Sequence, residues 1–222
     1  DGTFIIAFSG SEGYYDDEVY LQLISSTGEK IGSNLKIKDK AYDTSYDLAM
    51  STDSTDETLV VIYTRYGASI KRFDKNLNYV SSLYKRESEN IEEQFGYPIS
   101  CATSNMGDLY FIDSENSRIM KFDIFGNYVL SFGGFGAGRF QLDNPKQLAI
   151  NSANLIFVAD GNDIVVFDQY GNGISRNSLD TTIISIRIIF DHLIACTSDG
   201  IYYNYLRIPE SNLTKLKIEG ID

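Results

Sequence analysis

The chain has 222 residues, 19 Lys and Arg against 31 Asp and Glu, and a formal charge of −12. Its single histidine (His192) and two cysteines (Cys101, Cys196) exclude a multi-histidine metal site and a thiolate zinc cluster, and the acidic balance suits a nucleic-acid phosphate backbone poorly. Apolar residues make up 43% and aromatics 13%, too many for a disordered chain, yet no apolar run approaches the ~18–20 residues of a membrane helix.

Short runs rich in Ile, Val, Tyr and Phe, separated by Gly, Asn, Asp and Ser, read as strands from one end to the other. In chain order they fall at 3–8, 19–24 and 31–37; at 47–51, 58–63, 69–73 and 79–84; and at 99–104, 109–112, 118–122 and 128–132. The remainder lie at 147–150, 155–158, 164–167 and 173–176, then at 181–189, 193–197, 201–206 and 213–218. No stretch keeps a helical period over three turns.

These runs repeat. A strand ending in Phe122-Asp123 leads through Gly126-Asn127 into the next strand, and Phe167-Asp168 leads through Gly171-Asn172 in the same way. Phe73-Asp74 shares the pattern, and a weaker copy surrounds Gly28-Glu29. Glu29, Asn78, Asn127 and Asn172 are therefore equivalent, at intervals of 49, 49 and 45 residues. Four strands per unit at that period predict an all-β propeller of antiparallel four-stranded blades, because one blade cannot bury both its faces and stacking against neighbours covers them. The expected single domain, 1–222, divides into blades at about 1–39, 40–89, 90–138, 139–178 and 179–222.

The run from Phe132 through Gly133, Gly134, Gly136 and Gly138 to Phe140 and Pro145 resembles the entry of an NHL repeat, in which a Gly-rich linker precedes a Phe, a Pro and the innermost strand. Val158-Ala159-Asp160, Val166-Phe167-Asp168, Ile112-Asp113 and Phe122-Asp123 extend the resemblance over residues 94–175. It implies a six-bladed, NHL-like propeller or a related bacterial surface propeller, and no one activity, since the family includes scaffolds, binders and enzymes. The first blade has three strands and lacks an innermost one. Two readings stay open: a fragment of a larger ring, or a five-bladed ring closed by packing.

Several motifs read as structure. The glycine run reads as a linker between blades, because a strand rather than a helix follows it. His192 reads as a solvated hairpin-tip residue, Asp113 and Asp160 as Asx turn caps, and Cys101 and Cys196 as buried free thiols too far apart for a disulfide. The acidic groups around Asp16, Asp53 and Asp160 lack the spacing of a calcium loop, although calcium in one turn remains the alternative. Tyr202, Tyr203 and Tyr205 read mainly as packing.

These considerations point to a non-enzymatic binding or scaffolding module. Its axial face would meet a protein, peptide or carbohydrate partner, with no catalytic residue, metal or cofactor assigned. Loops between second and third strands would place Arg65, Tyr66, Glu115, Asn116, Asn162 and Asp163 there. The alternative is a metal-dependent hydrolase or lyase of the six-bladed type. RNA binding would need the basic cluster of Arg65, Lys71, Arg72, Lys75, Lys85 and Arg86 to form a surface. An extracellular, periplasmic or cell-surface location is expected.

Overall fold

A computed structural model describes residues 4–11, 17–37, 48–52, 57–62, 69–74, 76–84, 94–189, 192–205 and 214–216. Nineteen strands among them form five separate antiparallel meanders. Sheet I holds β1 (Phe4–Ser11), β2 (Asp17–Ile24) and β3 (Lys30–Ile37). Sheet II holds β4 (Leu48–Thr52), β5 (Glu57–Ile62), β6 (Ser69–Asp74) and β7 (Tyr79–Tyr84). Sheet III is β8 (Pro98–Thr103), β9 (Leu109–Asp113), β10 (Arg118–Phe122) and β11 (Tyr128–Gly133). Sheet IV is β12 (Pro145–Ile150), β13 (Ile156–Asp160), β14 (Asp163–Phe167) and β15 (Gly173–Ser178). Sheet V is β16 (Ile183–Ile189), β17 (His192–Thr197), β18 (Gly200–Tyr205) and β19 (Thr214–Leu216).

The core lies in the seams between these sheets. Val19, Leu21 and Ile37 of sheet I meet Phe73 and Leu77 of sheet II. Ile70 packs with Phe95, Phe111, Met120 and Phe122 between II and III. Tyr110, Ile112 and Ile119 face Leu148, Ile156, Val158, Val165 and Phe167 between III and IV. Phe157, Ala159, Ile164 and Val166 face Ile183, Ile186, Leu193 and Ala195 between IV and V. The middle strands β9 and β13 are buried along their whole length because both their faces are covered, so alternation is lost there.

Contacts between sheets follow one rule. First strands approach in the series β4–β8, β8–β12 and β12–β16, and each second strand approaches the first strand of the next sheet, as in β5–β8, β9–β12 and β13–β16. Sheet I joins this second series through β1–β4, so β1 takes the second-strand place, and among the described residues that sheet has three strands.

One turn design recurs. Asp74, Asp123 and Asp168 each accept the amides two and four residues ahead on Oδ1, and the other oxygen accepts the side-chain amide of Asn78, Asn127 or Asn172. Ser25, Ser104 and Asn151 make the corresponding pair of backbone bonds. The fourth residue is left-handed: Gly126 has φ 86° and Gly171 φ 81°, while Leu77 takes φ 63° at some strain because its side chain enters the seam with sheet I.

After each of the three Asp turns the last strand starts with a register shift, between Arg72 and Phe73, Lys121 and Phe122, and Val166 and Phe167. A bulge at the same place on each outer strand twists an edge that would otherwise template pairing with another chain.

Candidate functional site

The second-to-third strand turns and the linkers between sheets share one end of the molecule. There the Asp113 carboxylate is fully buried, accepting the Gly96 amide at 2.9 Å, the Asn116 side chain at 2.7 Å and Arg118 Nε at 3.1 Å. Asp160, one repeat later, accepts the amides of Asp143 (3.0 Å) and Asn144 (2.6 Å) and pairs with Arg176. The expectation that these two aspartates cap their own turns is met in part by Asp113, which holds Asn116, and is corrected for Asp160; both carboxylates reach back to the linker that enters their own sheet. Buried carboxylates demand partners, and the linker supplies amides that no strand uses.

The sequence-predicted site residues divide between two turns. Glu115 and Asn116 are exposed in the β9–β10 turn, and the Glu115 side chain lies over Gly96, where a Cβ would stand 1.9 Å from Oε2. Asn116 is tied to Asp113. In the β13–β14 turn, the Asn162 carbonyl accepts the Leu179 amide and its side chain accepts the Thr182 hydroxyl at 3.0 Å. Asp163 is half-buried, bonded to Arg176 Nε at 2.6 Å and to the Ser178 hydroxyl at 2.5 Å. Arg65 and Tyr66 lie outside the described residues. Neighbouring sheets are stitched at this end, since the Ser117 hydroxyl donates to the Asp143 carbonyl and the Ile183 amide to that of Gly161.

The opposite end holds a second polar group. Lys121 Nζ is 2.9 Å from Asp108 and sits 5.3 Å over the Tyr110 ring. Burial acts to lower the Lys121 pKa, yet its bond to Asp108 and the neighbouring Tyr110 side chain outweigh burial and hold it above the ordinary lysine value. The Tyr110 phenol is pushed up, chiefly by burial, with Lys121 opposing and the charges of Asp108 and Asp168 adding to the rise. A raised phenol beside a charged lysine is no acid–base pair poised near neutrality.

Lys71 and Arg72 are buried, and Arg72 donates to the Ile124 carbonyl of sheet III, so these two do not form the expected basic surface. His192 is the first residue of β17, half-buried with its ring 6.5 Å from Tyr203, rather than a hairpin tip. Both cysteines are free: Cys101 is buried and its thiol pushed up to about 12 by burial, with Arg187 opposing, while Cys196 is only half-buried. The glycine run is a linker, with the Leu142 amide bonded to the Gly134 carbonyl. Among the described residues no three His, Cys, Asp or Glu side chains converge as metal ligands would. No described helix is long and apolar enough to cross a membrane.

The arginine partners of Asp113 and Asp160 were not expected from the sequence. The available signal was the 47-residue repeat of Gln94 and Gln141, Pro98 and Pro145, and Asp113 and Asp160, which marks a linker bound to a strand end.

No protein-family model matches the chain. A stretch of 90 residues is 30% identical to Protein brain tumor of Drosophila melanogaster, spanning 39% of this chain and 9% of that protein. Among solved structures, virginiamycin B lyase of Staphylococcus aureus aligns over 98% of this chain and 75% of its own, with TM-score 0.63 and 13% identity. U3-55K aligns over 95% and 67%, with TM-score 0.64 and 13% identity, and the WD40 repeats of RRP9 over 95% and 66%, with TM-score 0.63 and 12% identity. Together with five repeated meanders stacked face to face, these likenesses show a β-propeller type of repeat fold.

Proposed function

We propose that the protein is a non-enzymatic binding or scaffolding module whose five sheets are propeller blades. The turn-and-linker end would meet a protein partner, with a peptide or glycan as other candidates. One observation carries this reading: the described polar groups at that end are engaged in fixing the frame, with Asp113, Asp160, Arg118 and Arg176 binding linker to turn. Glu115, Asn116 and Asn162 thus stand exposed on a rigid support, as a recognition surface requires and a reaction centre does not. Arg65, Tyr66 and Asp163 complete the proposed surface. The NHL-like character of residues 94–175 and an extracellular, periplasmic or cell-surface location belong to the same proposal.

The test is a comparison of the chain with its Glu115→Lys/Asn162→Lys variant, each immobilised and exposed to the same source-cell extract. Proteins retained by the former and lost by the latter, with unchanged melting of both, are expected. Identical retention sinks the assignment of the surface. Turnover of quinupristin, the compound bound in one solved lyase structure, would sink the non-enzymatic reading.

A further inference from the structure

The turns between third and fourth strands lie at the end opposite the linkers, and they carry rings that add little to the core. Phe125 is 83% exposed, and Tyr170, its counterpart in the next repeat, 69%. The bulge that follows each turn adds an aliphatic side chain. The ladders of sheets II, III and IV each skip one residue there, Val80, Val129 or Ile174, and these are 45%, 45% and 50% exposed. Apolar side chains left open at the same place in successive repeats mark a recognition surface more than a source of stability.

The places are joined from sheet to sheet, because each turn lies against the last strand of the sheet before it. A Cβ on Gly126 would stand 3.0 Å from Leu83 of β7, and one on Gly171 2.8 Å from Phe132 of β11.

A neutral acceptor stands beside each ring. Asp123 and Asp168 take the Nδ2 groups of the exposed Asn127 and Asn172 at 2.9 and 2.8 Å. An ionised carboxylate only accepts, so each Asn must present its nitrogen to the Asp and its Oδ1 away from it. No described group donates to either Oδ1. From Phe122 to Ser131 and from Phe167 to Ser175 the only charged residues are Asp123 and Asp168, whose oxygens the turn already uses.

We propose that this row binds a neutral, hydroxyl-rich ligand, an uncharged polysaccharide chain lying across the turns of sheets III and IV. Its C–H faces would rest on Phe125 and Tyr170, and its hydroxyls would donate to Asn127 and Asn172 Oδ1, which the Asp carboxylates hold ready. A peptide strand fits less well, because the bulges break the regular edge it would pair with. A charge of −12 opposes a second copy. The row is at the other end from the surface proposed above, so this inference is independent of that reading.

The test is native electrophoresis of the 222-residue chain through gels containing xylan, laminarin, glycogen or galactomannan, with polygalacturonate as the charged comparison. At least one neutral polymer should slow the chain, and Phe125→Ala/Tyr170→Ala should weaken that retardation at least tenfold with unchanged melting. Unchanged migration in all four neutral gels overturns the inference, as does equal retardation of chain and variant. Retardation by polygalacturonate as strong as by the neutral polymers overturns the ligand class. Retardation lost in Glu115→Lys/Asn162→Lys but kept in Phe125→Ala/Tyr170→Ala moves the site to the linker end. Dimers of the parent by sedimentation velocity that vanish in Phe125→Ala/Tyr170→Ala overturn it in favour of a second copy.

Discussion

Arg118 and Arg176 reach equivalent destinations from different strands. Arg118 opens β10, bonds the Asp113 carboxylate and donates to the Gln94 carbonyl. Arg176 lies in β15, bonds Asp160 and donates to the Gln141 carbonyl at 2.9 Å. The place of Arg118 is taken in sheet IV by Asp163, and the place of Arg176 in sheet III by Ser131, which accepts from Arg118 at 3.5 Å. Each repeat thus keeps a guanidinium over the buried carboxylate while moving its attachment to the neighbouring strand.

This arrangement makes a sharp prediction. Arg118→Ala leaves Asp113 buried with amide partners but no countercharge, and unfolding by urea should show a loss of about 3–5 kcal/mol. Arg118→Asp combined with Ser131→Arg copies sheet IV into sheet III and should recover at least half of that loss. Recovery no better than the single variant would show that the guanidinium's position, rather than its presence, matters.

The strands and the Asp-x-x-Gly-Asn turns were legible because both are local: period-two apolar runs and an Asx side chain bonding two and four residues ahead need no distant partner. The guanidinium exchange was not, since an aligned repeat shows Arg118 opposite Asp163 and hides the compensation at Ser131 and Arg176. Lys71 and Arg72 looked like surface because their charge suggested it, whereas the long side chains run into a seam. Of the candidate site, the turns that carry Glu115, Asn116, Asn162 and Asp163 were readable, but their bonding to linkers 16 or more residues away was not.

The Asp turns predict an acid limb in stability. Slight burial acts to raise the carboxyls of Asp123 and Asp168, but the Asn127 and Asn172 side chains and the turn amides outweigh it and hold both below the usual aspartate value. The folded value lies beneath the unfolded one, so their stabilisation is complete above the unfolded pKa and fades as pH falls through the folded one. Both residues are only partly buried and their carboxylates are screened by solvent, which keeps the effect small. Asp123→Asn/Asp168→Asn should flatten the decline in melting temperature below about pH 4, measured by circular dichroism against the parent chain.

Gly173 is set by close approach rather than by turn geometry. A Cβ there would stand 2.0 Å from Phe140 Cγ, and Phe140 packs on Phe167 at 6.4 Å between ring centroids. Gly173→Ala should cost about 1–3 kcal/mol through displacement of that ring. The Gly173→Ala/Phe140→Leu pair should be less than additive, since the smaller side chain yields the space.

Gln147 tests whether seams are held by polar stitches as well as by apolar burial. Its Oε1 accepts the Ile186 amide, and Ile186 is itself buried in the seam between sheets IV and V. Gln147→Ala strands a donor that the packed seam shields from water, at about 1–3 kcal/mol. Gln147→Glu keeps an acceptor oxygen in the same place and should retain most of the stability at neutral pH. Amide hydrogen exchange distinguishes a local from a global effect. Exchange at Ile186 should quicken in Gln147→Ala more than at Phe111, which lies two seams away. Equal quickening at both would mean that the five sheets open as one unit and that the stitch has no separate role.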